Sequence, residues 1–341
     1  MPRLALMIFK LLPVLALSFL AGFAPPASAQ SPDFAEIERH AAALPRLTSV
    51  VVLQDGETVY ERGPVARPAN IKSASKTVIS ALIGIAIDKG VLESTDQKIA
   101  PLLKASLPAD PDPRLNDITI GDLLTMRAGL ERTSGANYGS WVQSRDWVRN
   151  ALARPFVDEP GGRMLYSTGS THLLSAVLTK AAGRPTLELA REWLADPLGI
   201  RIPSWDRDPQ GIYFGGNNMA MTPRAMAAFG ELYRNGGMTD GRRIVSKAWI
   251  DASWTPVTES FFTGHGYGYG WFATNLAGQD VRYAWGHAGQ FIFVVPSARL
   301  TVAMTSAAEG YKRGSDHVEK LHALMADVII PAAMSRQSPA H

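Results

Sequence analysis

The chain has 341 residues, 46% hydrophobic and 19% charged, which is ample for a large packed core and too apolar for a disordered chain. Its 34 basic and 31 acidic residues leave a net charge of +3. Two of those charges, Arg3 and Lys10, fall in an N-terminal stretch without an acid, so no basic surface is expected and nucleic acid is not a partner. Absence of cysteine excludes disulfide frameworks, thiolate metal sites, iron–sulfur clusters and a cysteine nucleophile, leaving covalent chemistry to Ser, Thr, Lys or a carboxylate.

Residues 1–29 read as a secretory signal. A basic start is followed by an apolar run from Leu11 to Ala24, then Ala27-Ser28-Ala29 before Gln30, the small-x-small pattern of a cleavage site. The run is short for a span of about 20 residues and Pro13, Pro25 and Pro26 interrupt it. The mature chain, residues 30–341, is therefore expected to be periplasmic or secreted, with no stable membrane span after cleavage.

Residues 34–44 carry helical spacing. Residues 47–53 read as a Val-rich strand, and Asp55-Gly56 is a hairpin turn into a second strand at 58–60. A mainly helical stretch runs from 75 to about 247, and within it the apolar run 78–87 suits a helix buried on every side. Strands return at 267–274, 281–285, 291–295 and 300–306, before a helix near 316–330. The pattern predicts an α/β (α+β) fold: one antiparallel sheet, from about 30–72 and 248–341, flanked by terminal helices, plus an inserted helical subdomain at about 73–247. An active site belongs in the cleft between the two.

Chemistry begins at Ser73-Ala74-Ser75-Lys76, the one Ser-x-x-Lys in the chain. If Ser73 opens the helix that continues through 87, the i, i+3 spacing puts the Lys76 amine on the same face as the Ser73 hydroxyl. Burial then favours the neutral amine, which can take the hydroxyl proton. Two later segments join it, Tyr166-Ser167-Thr168 and His287-Ala288-Gly289.

In these three elements, their order and their separation, the chain resembles the serine β-lactamase and penicillin-binding-protein superfamily, particularly its esterase-like and 6-aminohexanoate-dimer-hydrolase-like members of class C architecture. Stretches 118–130 (ITIGDLLTMRAGL), 219–230 (MAMTPRAMAAFG) and 267–272 (YGYGWF) are also family-like. The resemblance implies acyl transfer through a serine ester. Ser73 attacks a carbonyl, Lys76 and Tyr166 share the base role, and the backbone N–H groups of Ser73 and Gln290 form the oxyanion hole. His287, Gly289 and Thr168 then fall to substrate binding. Which of Lys76 and Tyr166 is the base stays open at this point.

Two departures shift weight from penicillins toward other esters, amides or short peptides. Thr168 stands where many relatives carry Asn, and His287 replaces the usual Lys, exchanging a permanent cation for a largely neutral group. A β-lactamase or D,D-peptidase, or a sensor-like protein that is acylated without turnover, is the alternative. No Gly-x-Ser-x-Gly, His-Glu-x-x-His or Gly-rich cofactor fingerprint occurs, so no metal or cofactor is expected. Trp141, Trp271 and Trp285 lie near the family-like segments as candidate walls of an acyl pocket.

Overall fold

The computed structural model describes residues 32–337; the expected signal segment and its cleavage site lie outside the described residues. Eight strands build one antiparallel sheet: β1 (Leu47–Gln54) and β2 (Glu57–Arg62) from the N-terminal end, then β3 (Thr258–Glu259), β4 (Gly266–Tyr267), β5 (Phe272–Leu276), β6 (Gln279–Gly286), β7 (Gln290–Val295) and β8 (Leu300–Ser306). Their spatial order is β2-β1-β8-β7-β6-β5-β4-β3. The last strand thus closes against the first, with Val50 opposite Met304 and Val52 opposite Val302.

Side-chain alternation splits the sheet into two buried faces. Val50, Val52, Phe291, Phe293, Val302 and Met304 point to one side, while Val51, Ile292, Val294 and Ala303 point to the other. Since both faces are covered, β7 is buried along its whole length and reads as an unbroken apolar run after Gln290.

The helices around the sheet include α1 (Pro32–Ala42), α2 (Ser75–Asp88), α4 (Pro223–Arg234) and α5 (His317–Leu324), with α3 (Thr168–Ala182) packed on α2. Ile37 and Ala41 of α1 pack with Leu321 and Leu324 of α5 on the first face, so terminal helices flank the sheet as expected. The helix runs on beyond α5 through a π-helical stretch, Met325–Ile329, to Ser335, and Gln54 Nε2 donates to Ala333 O at 2.8 Å, tying β1 to the C-terminal segment. On the second face lies the helical insert, with its helix α4 directly against β1, β7 and β8. Among the described residues no helix is long and apolar enough to cross a membrane.

At the centre stands α2, buried from Ser75 through Ala86. Gly84 is what lets it sit there: a Cβ at that position would fall 2.4 Å from the Trp249 ring. A methyl group would therefore overpack this joint.

One expectation fails in detail. Residues 267–274 alternate like a single strand, but the chain folds back within them, between β4 and β5, with Gly270 at φ +81. That backbone conformation is open to glycine and rare for other residues, and tyrosines alternating with glycines imitate the period of a strand.

Candidate active site

Ser73 lies in a 3₁₀ turn, Lys72–Ala74, immediately ahead of α2, and not in the helix proper as the sequence suggested. The i, i+3 geometry survives, because a 3₁₀ turn also brings positions three apart onto one side. Lys72 enters the turn at φ +54, a left-handed conformation that costs about 1–3 kcal/mol for a non-glycine residue. Its own N–H is held by Asn70 Oδ1 at 2.9 Å.

Lys76 Nζ lies 3.1 Å from Ser73 Oγ and donates to Gly216 O at 2.6 Å. The residue is 2% exposed, and among the described residues no carboxylate pairs with it. Burial penalises the ammonium form and pulls its pKa down to about 7. The free amine is thus far more favoured here than for a lysine in water.

Tyr166 reaches the same point from the segment leading into α3, its ring centroid 5.2 Å from Lys76 Nζ. Burial pushes its phenol up to about 12, and a hydrogen bond with Ser73 offsets part of that rise. The phenol therefore keeps its proton where Lys76 has begun to lose one.

The loop at 133–134 fixes this corner. Thr133 N donates to Ser167 Oγ at 3.0 Å, Thr168 N to Ser134 Oγ at 2.9 Å, and Gly169 N to Thr133 Oγ1 at 2.7 Å. Two of the N–H groups left open by the first turn of α3 are satisfied in this way. One turn further, His172 Nε2 lies 3.0 Å from Asp208 Oδ2, both side chains fully buried.

The third element is arranged differently from the first two. His287-Ala288-Gly289 is the tight link between β6 and β7, with Ala288 at φ +66 and Gly289 at φ +94. Gly289 faces the terminal helix: a Cβ there would meet Leu321 Cδ1 at 2.6 Å. His287 is exposed, edge-on to Tyr311 at 4.9 Å, and partial burial with nearby Arg313 and Lys72 pushes its pKa down. Gln290 commits its side chain to β8, donating to Ser306 O at 2.8 Å and accepting from Ser306 N at 3.3 Å, so what it can offer a substrate is backbone. Thr168 is buried with its hydroxyl 3.0 Å from Ser134 Oγ.

Sequence reasoning missed Gly216, whose carbonyl anchors Lys76, and Phe262, whose ring stands edge-on to Tyr166 at 5.5 Å and 5.6 Å from Trp285. The Gly215-Gly216 pair hinted at close approach but read equally well as a turn. Of the three tryptophans only Trp285 borders the site. Trp141 packs at a tilt against Trp147 in the helical core, and Trp271 likewise against Tyr233 of α4.

An antiparallel sheet with terminal helices on one face, a helical insert on the other and Ser-x-x-Lys at the head of the central helix defines the β-lactamase/transpeptidase fold class. The chain belongs to the Beta-lactamase family, which it matches over residues 36–324. Among curated proteins it is similar to the D-alanyl-D-alanine-carboxypeptidase/endopeptidase AmpH of Escherichia coli K12, 26% identical over 180 residues, 47% of this chain and 46% of that protein. The chain thus spans about half the length of this relative. Among solved structures it resembles a candidate 6-aminohexanoate-dimer hydrolase from Bacillus anthracis, with a TM-score of 0.71, 18% identity and coverage of 90% of this chain and 83% of that one. It is also similar to EstCE1, a hydrolase with promiscuous acyltransferase activity, at TM-score 0.69, 20% identity and coverage of 87% and 98%. At these identities the structural likeness concerns the fold.

Proposed function

We propose that the protein is an exported serine hydrolase that cleaves an ester or amide bond through an acyl-enzyme on Ser73. One observation carries this reading: a lysine buried without a counter-ion, its pKa drawn to about 7, lies 3.1 Å from a serine hydroxyl. A structural lysine gains nothing from such a place, whereas a general base needs a pKa near the working pH.

In this mechanism Lys76 takes the Ser73 proton as Oγ attacks the substrate carbonyl carbon. The tetrahedral oxyanion sits between the backbone N–H groups of Ser73 and Gln290. As the intermediate collapses, the leaving alcohol or amine receives the proton from Lys76 by way of the Tyr166 hydroxyl. Water then attacks the Ser73 ester with the same groups moving its proton, and Ser73 is regenerated. Incubation of the exported protein with a fluorophosphonate should give a mass beginning at Gln30 plus one adduct, located on Ser73. An undiminished adduct in Ser73→Ala would remove the proposal.

A second reading, β-lactamase or D,D-peptidase, draws support from Lys72 and Arg313, whose charges reach His287 and attract a substrate carboxylate, and from the name of the AmpH relative. The two readings part on substrate. His287 itself is held neutral, and hydrogen bonds from neutral donors are weaker by about 1.3 kcal/mol than charged ones, worth about tenfold in rate. 4-Nitrophenyl butyrate should therefore have a kcat/KM at least about tenfold above that of nitrocefin, and His287→Lys should narrow the gap. Equal efficiency on the two would favour the second reading.

A further inference from the structure

His172 of α3 and Asp208 face each other with both side chains fully buried, and the chemistry above does not use them. Trp141, Trp147 and Phe214 surround the imidazole edge-on at 5.8, 5.5 and 5.9 Å. A carboxylate only accepts, so Nε2 carries the hydrogen between the two. In so apolar a cage, removing either partner leaves the other buried and unmatched, which commits the pair to one geometry.

Asp208 also closes a hairpin. Residues 206–214 double back through a bridge between Arg207 and Tyr213, and Asp208 Oδ1 takes the N–H groups of the turn, from Gln210 at 2.9 Å and Ile212 at 2.8 Å. Its other oxygen, Oδ2, lies 3.0 Å from His172 Nε2. Three residues along α3, on the same face, Ser175 Oγ donates to Tyr213 O at 2.7 Å. The hairpin is thus moored to α3 at two points.

Both ends of this hairpin lead to the reacting groups. Beyond Tyr213 the chain runs back along α3, so close that a Cβ at Gly215 would meet Thr171 O and one at Gly216 would meet Thr168 O. The carbonyls of these two glycines are taken by α2: Gly215 O by Ser75 Oγ at 3.2 Å and Gly216 O by Lys76 Nζ at 2.6 Å. At the other end, Asp206 Oδ2 accepts from Asn218 Nδ2 at 2.9 Å, and Asn218 Oδ1 accepts from Asn70 Nδ2 at 3.0 Å. Asn70 Oδ1 in turn holds the N–H of Lys72, the left-handed residue that opens the Ser73 turn.

Resting on the hydrolase reading of the site, we propose that His172 and Asp208 are positioning residues: they fix the 206–214 hairpin on α3, and the hairpin sets Lys76 Nζ and the Ser73 turn at their working distance.

Two replacements at one position separate the hydrogen bond from simple bulk. His172→Gln presents an amide N–H at a similar reach, whereas His172→Phe fills the aromatic cage and removes the donor. With 4-nitrophenyl butyrate, His172→Phe should lower kcat about tenfold or more and change KM less than about threefold. The inflection near pH 7 in kcat/KM should also move upward, because burial is what lowers the Lys76 amine and a loosened strand at 215–216 admits water to it. His172→Gln should recover most of kcat and the wild-type inflection. Asp208→Asn keeps the shape and the Oδ1 acceptor but turns an amide N–H toward the Nε2 donor. It should change kcat and inflection in the same direction, and it decides the matter if His172→Phe does not fold. A lower urea midpoint with wild-type kcat and inflection would make the pair purely structural, and equal losses in His172→Gln and His172→Phe would rule out the hydrogen bond. The carbon NMR signal of Lys76 Cε in Ser73→Ala protein, assigned by its loss on adding Lys76→Arg, reads the anchor without turnover. Its midpoint near 7 should rise on adding His172→Phe and hold on adding His172→Gln. If no ester is hydrolysed and Ser73 takes no label while this NMR pattern holds, the hydrolase reading has failed and the anchor has not.

Discussion

Replacing Lys76 with alanine, or Tyr166 with phenylalanine, should each lower kcat/KM by about 10²–10⁴-fold, and the double replacement should cost little more than the worse single one. Both groups serve one proton, the one that leaves Ser73 and returns to the departing group, and groups acting as a unit are strongly non-additive. The division of labour follows from their opposite shifts. Burial lowers the Lys76 amine to about 7 and raises the Tyr166 phenol to about 12, because in each case it disfavours the charged form. The free amine is the species needed for attack, so kcat/KM in the wild type should climb with pH through about 7. Lys76→Arg should remain inactive at every pH, since a guanidinium keeps its proton. A flat profile across pH 6–8, or losses that multiply in the double variant, would show that the two do not share a proton. The same shift has a thermodynamic side. Between pH 7 and the ordinary lysine value of 10.5 the unfolded chain holds more protons at this position than the folded one, so the destabilisation due to burying Lys76 lessens as pH rises.

The sheet was legible because its strands carry period-two or continuous apolar patterns, which loops and surface helices do not produce. β1, β6, β7 and β8 fall within two residues of their expected limits, and the buried α2 follows from ten residues without a charge. Ser73 and Lys76 were legible from their i, i+3 spacing and Tyr166 from the family resemblance of its segment, and the structure brings the three side chains together. Other features were not, for physical reasons. The exact entry of Ser73 into a 3₁₀ turn is invisible since i, i+3 neighbours coincide in both kinds of turn. Tyr267-Gly268-Tyr269-Gly270 alternates as a strand would, although glycine serves there to reverse the chain. Phe262 lies about a hundred residues from Tyr166, in a segment with no period, and only tertiary structure brings their rings together. Trp141 lies near a family-like stretch and Trp271 within one, but their indoles belong to the core.

Gly216 shows most clearly what a sequence hides, because its contribution is a backbone carbonyl and a missing side chain. Its oxygen takes a hydrogen bond from Lys76 Nζ, 140 positions away. A Cβ in its place would stand 3.0 Å from that nitrogen, 2.8 Å from Thr168 Cγ2 and 3.0 Å from Thr168 O. Of these neighbours the backbone oxygen is fixed by α3, and the β-branched Thr168 has few rotamers to move to. The far end of the lysine is the softest of the three, so Gly216→Ala should displace Nζ from Ser73 more readily than it disturbs the fold. A misplacement near 1 Å can cost about 100-fold in rate, and that is the loss expected in kcat/KM, carried mainly by kcat and matched by slower fluorophosphonate labelling. The neighbouring glycine provides the contrast. A Cβ at Gly215 would fall 2.4 Å from Thr171 O, backbone that cannot yield, so Gly215→Ala should lower the urea midpoint as well as the activity. If Gly216→Ala keeps wild-type kcat and the inflection near pH 7, Lys76 is not held in place by this carbonyl, and its position must be set by the packing of α2 alone.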